Sequence, residues 1–345
     1  MSKFNDKMAV IAGGSTGIGL AITNPLKKTM SIAELNSSLE NHPVTQQDKT
    51  AMSAMRAIVE PNKGRMQGTA ARAPFDGIMS RVKAPSGVTF REDTLGGVSG
   101  WWCRPASVQP GKAILHLHGG WFNWGTAQAF RHLVGHLAAE AQVEAFIPEY
   151  RLAPEHPFPA AVEDAQACYR ELVNRGTRLI ALTGDSAGGG LALALLSIAT
   201  TSASFGGVIP VGAVVLSPVT DLTLGGQSWE SRAAADPYFT QTQATGLVKA
   251  YLGSAAATDP IASPLFGNLG GLPPVRVHVG DDEVLLDDSR RYVERATAAG
   301  VDAKLDVWEG MPHGFLGGIG NFSASAEALE AIGAFLVERF TEASA

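Results

Sequence analysis

From residue 88 onward, short apolar runs of strand length alternate with segments of helical period, and this alternation constrains the fold more than any other feature. Runs over 113–118, 143–148, 179–183, 213–217, 275–279 and 303–307 read as strands, and 88–95 with 98–104 reads as a hairpin. Segments 130–139, 160–174, 187–200, 289–299 and 325–339 read as helices. Strands joined through helices need crossover connections, so the sheet should be mostly parallel and covered on both faces. The expected class is α/β. An Ala-, Ser- and Gly-rich interruption, 218–270, holds one expected helix near 244–251. Upstream, Ile32, Leu35, Leu39, Met52, Met55 and Val59 suggest amphipathic helix from 31 to about 59, and 60–86 reads as an extended connection.

Glycine, 39 of 345 residues, exceeds the usual share of roughly 7%. With 45% hydrophobic residues and no collagen-like period, the excess asks instead for tight backbone turns. Two cysteines, Cys103 and Cys168, form neither a disulfide framework nor a metal-spaced cluster, which fits a reducing compartment. The 27 basic and 33 acidic residues include no basic run, so no nucleic-acid partner is expected. No apolar stretch reaches the ~18 residues of a membrane span, and residues 8–12 lack the long core of a signal peptide. The expectation is a cytoplasmic protein without a membrane partner.

The strand at 179–183 runs into Gly184-Asp185-Ser186-Ala187-Gly188, and a helix follows. G-x-S-x-G between strand and helix is the setting of a nucleophile elbow. A serine on so sharp a turn needs small neighbours two positions away on each side. Its hydroxyl then stands at the carboxyl edge of the sheet, near a helix N-terminus that favours developing negative charge. A Gly-rich turn needed only for packing is the bland alternative, and the flanking strand and helix argue against it. An earlier strand leads into His118-Gly119-Gly120-Trp121, an H-G-G-type loop. Its backbone amides can face a substrate oxyanion together with the amide after the nucleophile. Gly119, Gly120 and Ala187 are the expected donors, with Trp121 standing in place of a third glycine. Among eight histidines, His313 lies on a Pro/Gly-flanked loop after the last strand and is the expected base. His116, His136 and His278 lie in apolar runs, and His118 belongs to the glycine loop, so structural roles are expected for these four.

These residues resemble the hormone-sensitive-lipase-like esterases, a bacterial branch (family IV) of the α/β-hydrolases. Three further segments carry the likeness: Tyr150-Arg151-Leu152-Ala153-Pro154-Glu155 with Pro157–Ala161, Ser217-Pro218-Val219-Thr220-Asp221-Leu222, and Met311-Pro312-His313-Gly314-Phe315. The resemblance implies an α/β-hydrolase sheet of about eight strands under a helical cap. It divides the chain into a foreign-looking leader (1–24), N-terminal cap helices and connection (25–85), core (86–217 and 271–345) and second cap segment (218–270). The family's acid turn is usually Asp-Pro-Leu-x-Asp. Aligning Leu285-x-Asp287 with its end puts Glu283 at the acid, with Val284 replacing the proline; a one-residue difference in the turn would present Asp282 instead. Asp281, Asp287 and Asp288 read as turn and helix N-terminal residues.

The implied function is a serine carboxylesterase that cleaves short- to medium-chain acyl esters through an acyl-enzyme, without metal or organic cofactor. Trp121, Phe122 and Trp124 are expected to narrow the substrate pocket, unless they pack under the cap. Lactones or amides are further substrates for the same machinery. Relatives often dimerise through the last strand and helix, so a homodimer is the expected assembly. A rival lies at the N-terminus, where Gly13-x-x-x-Gly17-x-Gly19 resembles the start of a short-chain dehydrogenase. An NAD(P) site needs its βαβ unit to continue, yet Pro25 cuts the first helix. No lysine lies four residues after any tyrosine, so no cofactor is assigned to this segment.

Overall fold

The structure, a computed structural model, describes residues 38–344. The glycine motif at 13–19 and the rest of the leader lie outside the described residues. Among the described residues, nine strands form one sheet in the order β1-β9-β8-β7-β6-β4-β5-β3-β2. They are β1 (Leu39–His42), β2 (Val88–Leu95), β3 (Val98–Pro105), β4 (Lys112–Leu117), β5 (Ala145–Pro148), β6 (Leu179–Asp185), β7 (Gly212–Leu216), β8 (Val275–Gly280) and β9 (Ala303–Trp308). All neighbours are parallel except β3, which pairs antiparallel with β2 and β5.

Alternation along each strand builds two cores. Leu115, Leu117, Ile180, Leu182, Ala213 and Val215 share one face with helices Ala160–Asn174, Ala187–Thr201 and Leu286–Ala298. Ile114, Ala181, Val214 and Leu216 share the other with helices Ala127–Ala141 and Ser323–Glu342. Strands buried on both faces explain why their sequences are apolar runs rather than alternating ones.

Two expectations need correction. Residues 39–42 are not helical: they form β1, parallel to β9, with Leu39 opposite Leu305 and His42 opposite Trp308. Pro43 has no N–H to donate and disfavours helix in the residue before it, so the helix starts only at Gln46–Val59 behind the Thr45 cap. The open edge of β9 offered a ladder instead, making nine strands where about eight were expected. The edge of the last strand expected to meet a second copy is thus covered from within the chain. The 60–86 connection is also more structured than expected, for Arg72–Met79 is helical. Arg72 fastens it by donating to the Asn123 and Ala153 carbonyls and to Glu155.

Candidate active site

Ser186 sits between β6 and the Ala187–Thr201 helix at φ 55°, ψ −123°, a conformation that costs a non-glycine residue about 1–3 kcal/mol. Its backbone is held from both sides: its N–H donates to Leu216 O (2.7 Å), and its carbonyl accepts from Val219 N (2.9 Å) and Gly190 N (3.2 Å). The glycines around it are steric necessities. A Cβ on Gly184 would lie 2.4 Å from Gly188 O, and one on Gly188 would lie 2.0 Å from Leu117 O. Close passage of β4, the glycine loop and the elbow therefore excludes any side chain there.

The turn after β8 brings Glu283, fully buried, against His313: Nδ1 and Glu283 Oε2 are 2.8 Å apart. The other oxygen, Oε1, accepts from Ser217 Oγ and from Gly280 N, each at 2.7 Å. Burial opposes the charged imidazole, but the Glu283 carboxylate outweighs it and holds His313 above the usual histidine range. The acid turn and the histidine loop are joined by backbone bonds from Asp281 N to Trp308 O (2.9 Å) and Asp282 N to Met311 O (3.0 Å). Of the two acids left open by the sequence, the structure brings Glu283 to His313, whereas Asp282 accepts from Arg56 at 2.7 Å. Asp281 pairs with Arg232, Asp287 accepts from Ser228 N, and Asp288 accepts from Thr220 N and Asp221 N.

Among the expected oxyanion donors, Gly119 needs correction. Its N–H donates to Asp185 Oδ1 (3.0 Å), because the aspartate beside Ser186 reaches across to the glycine loop. Among the described residues, the amides of Gly120, Trp121 and Ala187 have no protein acceptor. Trp121, at φ 55°, holds a left-handed conformation natural to the glycine it replaces.

The pocket expectation for the aromatics is also corrected in part. Phe122 stacks on Tyr251 at 3.8 Å, and Trp124 donates through Nε1 to Gly68 O (2.8 Å), so both are packing residues under the 241–252 helix and the 68–75 segment. Trp121 meets Phe239 edge-on at 5.5 Å, and Phe239 in turn meets His313 at 5.1 Å. The other histidines are structural. His118 is buried, stacks on Tyr150 and is pushed by desolvation down to about 4. His278 is likewise pushed to about 4 by burial, His116 contacts Thr183 Oγ (2.9 Å), and His136 contacts Lys83 O (2.9 Å).

Several contributing residues escaped the sequence analysis as site residues. Asp185 and Ser217 lie within the Gly184–Gly188 and Ser217–Leu222 motifs, and their places beside Ser186 and at the exit of β7 were the signal for them. Asp236 closes a local turn by accepting from Tyr238 N and Phe239 N, but its link to Val284 N spans 48 residues, and the ring partners of Phe239, Trp121 and His313, are distant in the chain. Among the described residues, one group has metal-ligand composition: Glu40, His42 and Asp306, whose ligand atoms lie within 4.8 Å of one another. Lys304 pairs with both carboxylates there, so that group already holds a cation.

A model of the alpha/beta hydrolase fold family matches residues 114–317. An acetyl-hydrolase of Streptomyces hygroscopicus is 38% identical over 245 residues, covering 70% of this chain and 81% of that protein. An esterase of Acinetobacter venetianus is 33% identical over 267 residues, covering 76% of this chain and 87% of that protein. A solved esterase from the bacterial hormone-sensitive lipase family superposes with a TM-score of 0.76 at 33% identity, covering 90% of this chain and 99% of that one.

Proposed function

The chain belongs to the α/β-hydrolase fold family, and from that premise we propose that Ser186, His313 and Glu283 form the catalytic triad of a serine carboxylesterase. The observation that carries the assignment is the 2.8 Å contact between Glu283 and His313 Nδ1, at the carboxyl ends of the strands that also present Ser186. Within the family, the chain falls in the hormone-sensitive-lipase-like branch, supported by the likeness to the solved esterase of that family.

With Nδ1–H bonded to Glu283, Nε2 of His313 is left as the basic nitrogen. It takes the Ser186 proton as Oγ attacks the ester carbonyl. The developing oxyanion accepts from the amides of Gly120, Trp121 and Ala187, which need no reorganisation to receive it. Collapse breaks the ester C–O bond, and the imidazolium returns its proton to the leaving alcohol. Water, deprotonated by the same nitrogen, attacks the acyl-enzyme and releases the carboxylic acid and Ser186. Glu283 accepts from Nδ1–H and stabilises the imidazolium throughout.

Trp121 in place of a glycine, backed by Trp229 and Phe239, narrows the space beside the glycine loop. Short- to medium-chain acyl esters are therefore the proposed substrates. A series of p-nitrophenyl esters from acetyl to palmitoyl tests this, with Ser186→Ala as control. Activity should peak at or below the decanoyl ester, and the control should lose about 10⁴-fold or more in kcat. A maximum at myristoyl or longer would overturn the substrate class, and full activity in the control would overturn the mechanism.

A further inference from the structure

The turn that carries Glu283 is tied residue by residue to a segment far from it in sequence, 232–239. Arg232 donates to Asp281 Oδ1 (2.7 Å). Arg56, from the Gln46–Val59 helix, donates to Asp282 Oδ2 (2.7 Å) and to the Ala235 carbonyl. Asp236 completes the series with both carboxylate oxygens. Its Oδ2 accepts from Val284 N (3.0 Å), the amide immediately after Glu283. Its Oδ1 accepts from Tyr238 N (2.7 Å) and Phe239 N (2.8 Å), closing the turn that sets the Phe239 ring against His313. Lys63 donates to the Asp236 carbonyl and fixes the same turn from the N-terminal side.

Asp236 and Val284 are both 1% exposed, so breaking their link leaves a buried amide unpaired at the foot of the acid turn. A segment needed only to pack Phe239 against Trp121 and His313 has no reason to bury a carboxylate on that amide. We propose that Asp236 is a positioning residue of the catalytic triad, holding Glu283 and Phe239 in fixed relation to His313, with the Arg56 bridge as its second anchor. This rests on the triad assignment above and deepens it: through Asp236, the 232–239 segment sets the geometry of the chemical step.

The charges around His313 supply a readout that a purely structural role would not move. His313 is faced by Glu283 from the acid turn, Asp236 from the 232–239 segment and Asp185 from the elbow, and all three carboxylates raise its proton affinity. Burial opposes the charge of Asp236 itself and raises its own proton affinity, against the Phe239, Val284 and Tyr238 amides and the charge of His313, which favour the carboxylate. The nearby cations are spent elsewhere, Lys63 on the Asp236 backbone carbonyl, Arg56 on Ala235 O and Asp282, and Arg232 on Asp281. A base must be deprotonated to work, so kcat/KM should rise with pH through the His313 pKa, above the usual histidine range. Removing the Asp236 charge should move that limb to lower pH.

The test is steady-state hydrolysis of p-nitrophenyl butyrate between pH 5 and 9 by the wild-type chain, Asp236→Asn, Arg56→Gln and Ser186→Ala, with thermal unfolding recorded for each. Asparagine keeps the size of the side chain but cannot accept at both ends. Asp236→Asn is expected to lose about tenfold or more in kcat, with KM changed less than about threefold and the acid limb displaced to lower pH. Arg56→Gln is expected to lose a few-fold in kcat at unchanged KM. An Asp236→Asn protein with unchanged kcat, with a raised KM alone, or with an unmoved acid limb overturns the proposal. Should that variant fail to fold, Arg56→Gln decides, and an unchanged kcat there overturns it. Loss of activity in Ser186→Ala beside a normal Asp236→Asn would defeat this inference alone, whereas retained activity in Ser186→Ala would defeat the triad assignment beneath it.

Discussion

At the scale of single residues, what separates Glu283 from Asp282 is direction. Both are carboxylates on one turn, yet Glu283 is enclosed by Ser217, Gly280 and His313 while Asp282 faces Arg56 and the N-terminal helix. Glu283→Ala is accordingly expected to lower kcat by about 10³–10⁴, since the imidazole loses the partner that sets its tautomer. Asp282→Ala should cost no more than about tenfold, through looser anchoring of the turn. Parallel kcat measurements on p-nitrophenyl butyrate check this, and the reverse ranking would move the acid to Asp282. Val284, unlike proline, has an N–H, and Asp236 accepts from it.

At the scale of elements, the glycines sort by what surrounds them. Gly188 opens the Ala187–Thr201 helix where β4 and the glycine loop cross, with the His118 and Leu117 carbonyls filling the space of any Cβ. These are backbone atoms that cannot swing aside, so Gly188→Ala should lose at least the roughly 1–3 kcal/mol of a typical overpacked site, and most of its activity. Gly77, in the Arg72–Met79 helix, has φ outside the left-handed region and open space around it. There alanine should add about 0.5–1 kcal/mol by helix propensity. Urea unfolding of both variants should show opposite signs. Local chemistry made most elements legible: the 160–174 helix and the 88–95 strand have the boundaries that periodicity and turn residues suggest. The 72–79 helix was not legible, because Gly, Pro and Arg there read as connection and its anchors are carbonyls 51 and 81 residues away.

At the scale of the molecule, the two ends of the described chain fasten to each other. Asp48, on the Gln46–Val59 helix, accepts from Ser323 N (2.7 Å), Ser323 Oγ (2.6 Å) and Ala324 N (3.3 Å), capping the Ser323–Glu342 helix from outside it. Burial opposes the charge, but these hydrogen bonds prevail and hold the Asp48 carboxyl below the usual aspartate value. A depressed acid stabilises the fold above its unfolded pKa and loses that contribution as pH falls through the folded one. Asp48→Ala should therefore destabilise the protein by about 0.5–2 kcal/mol at neutral pH, comparable with a lost helix cap. The deficit against the wild type should shrink below about pH 4, where the wild-type carboxylate is being protonated too. Urea unfolding at neutral and acidic pH checks both, and a deficit independent of pH would refute the charge-based account. β1 joins the same scheme, closing the edge of β9 with a strand from the opposite end of the chain.

The sequence by itself determined the α/β class, the Gly-x-Ser-x-Gly turn around Ser186 and the His313 loop, while the short list of acids came from the family resemblance. The first three depend on near neighbours: the period of apolar side chains, small residues two positions from a serine, glycine and proline around a loop. Tertiary structure alone decided that Glu283 meets His313, that Asp185 takes the Gly119 amide, that residues 39–42 become a strand, and that Asp236 reaches Val284. These outcomes depend on which buried hydrogen-bonding groups meet across distant segments, and the cost of leaving such a group unpaired, about 1–3 kcal/mol, is large enough to select among partners that local sequence leaves equal.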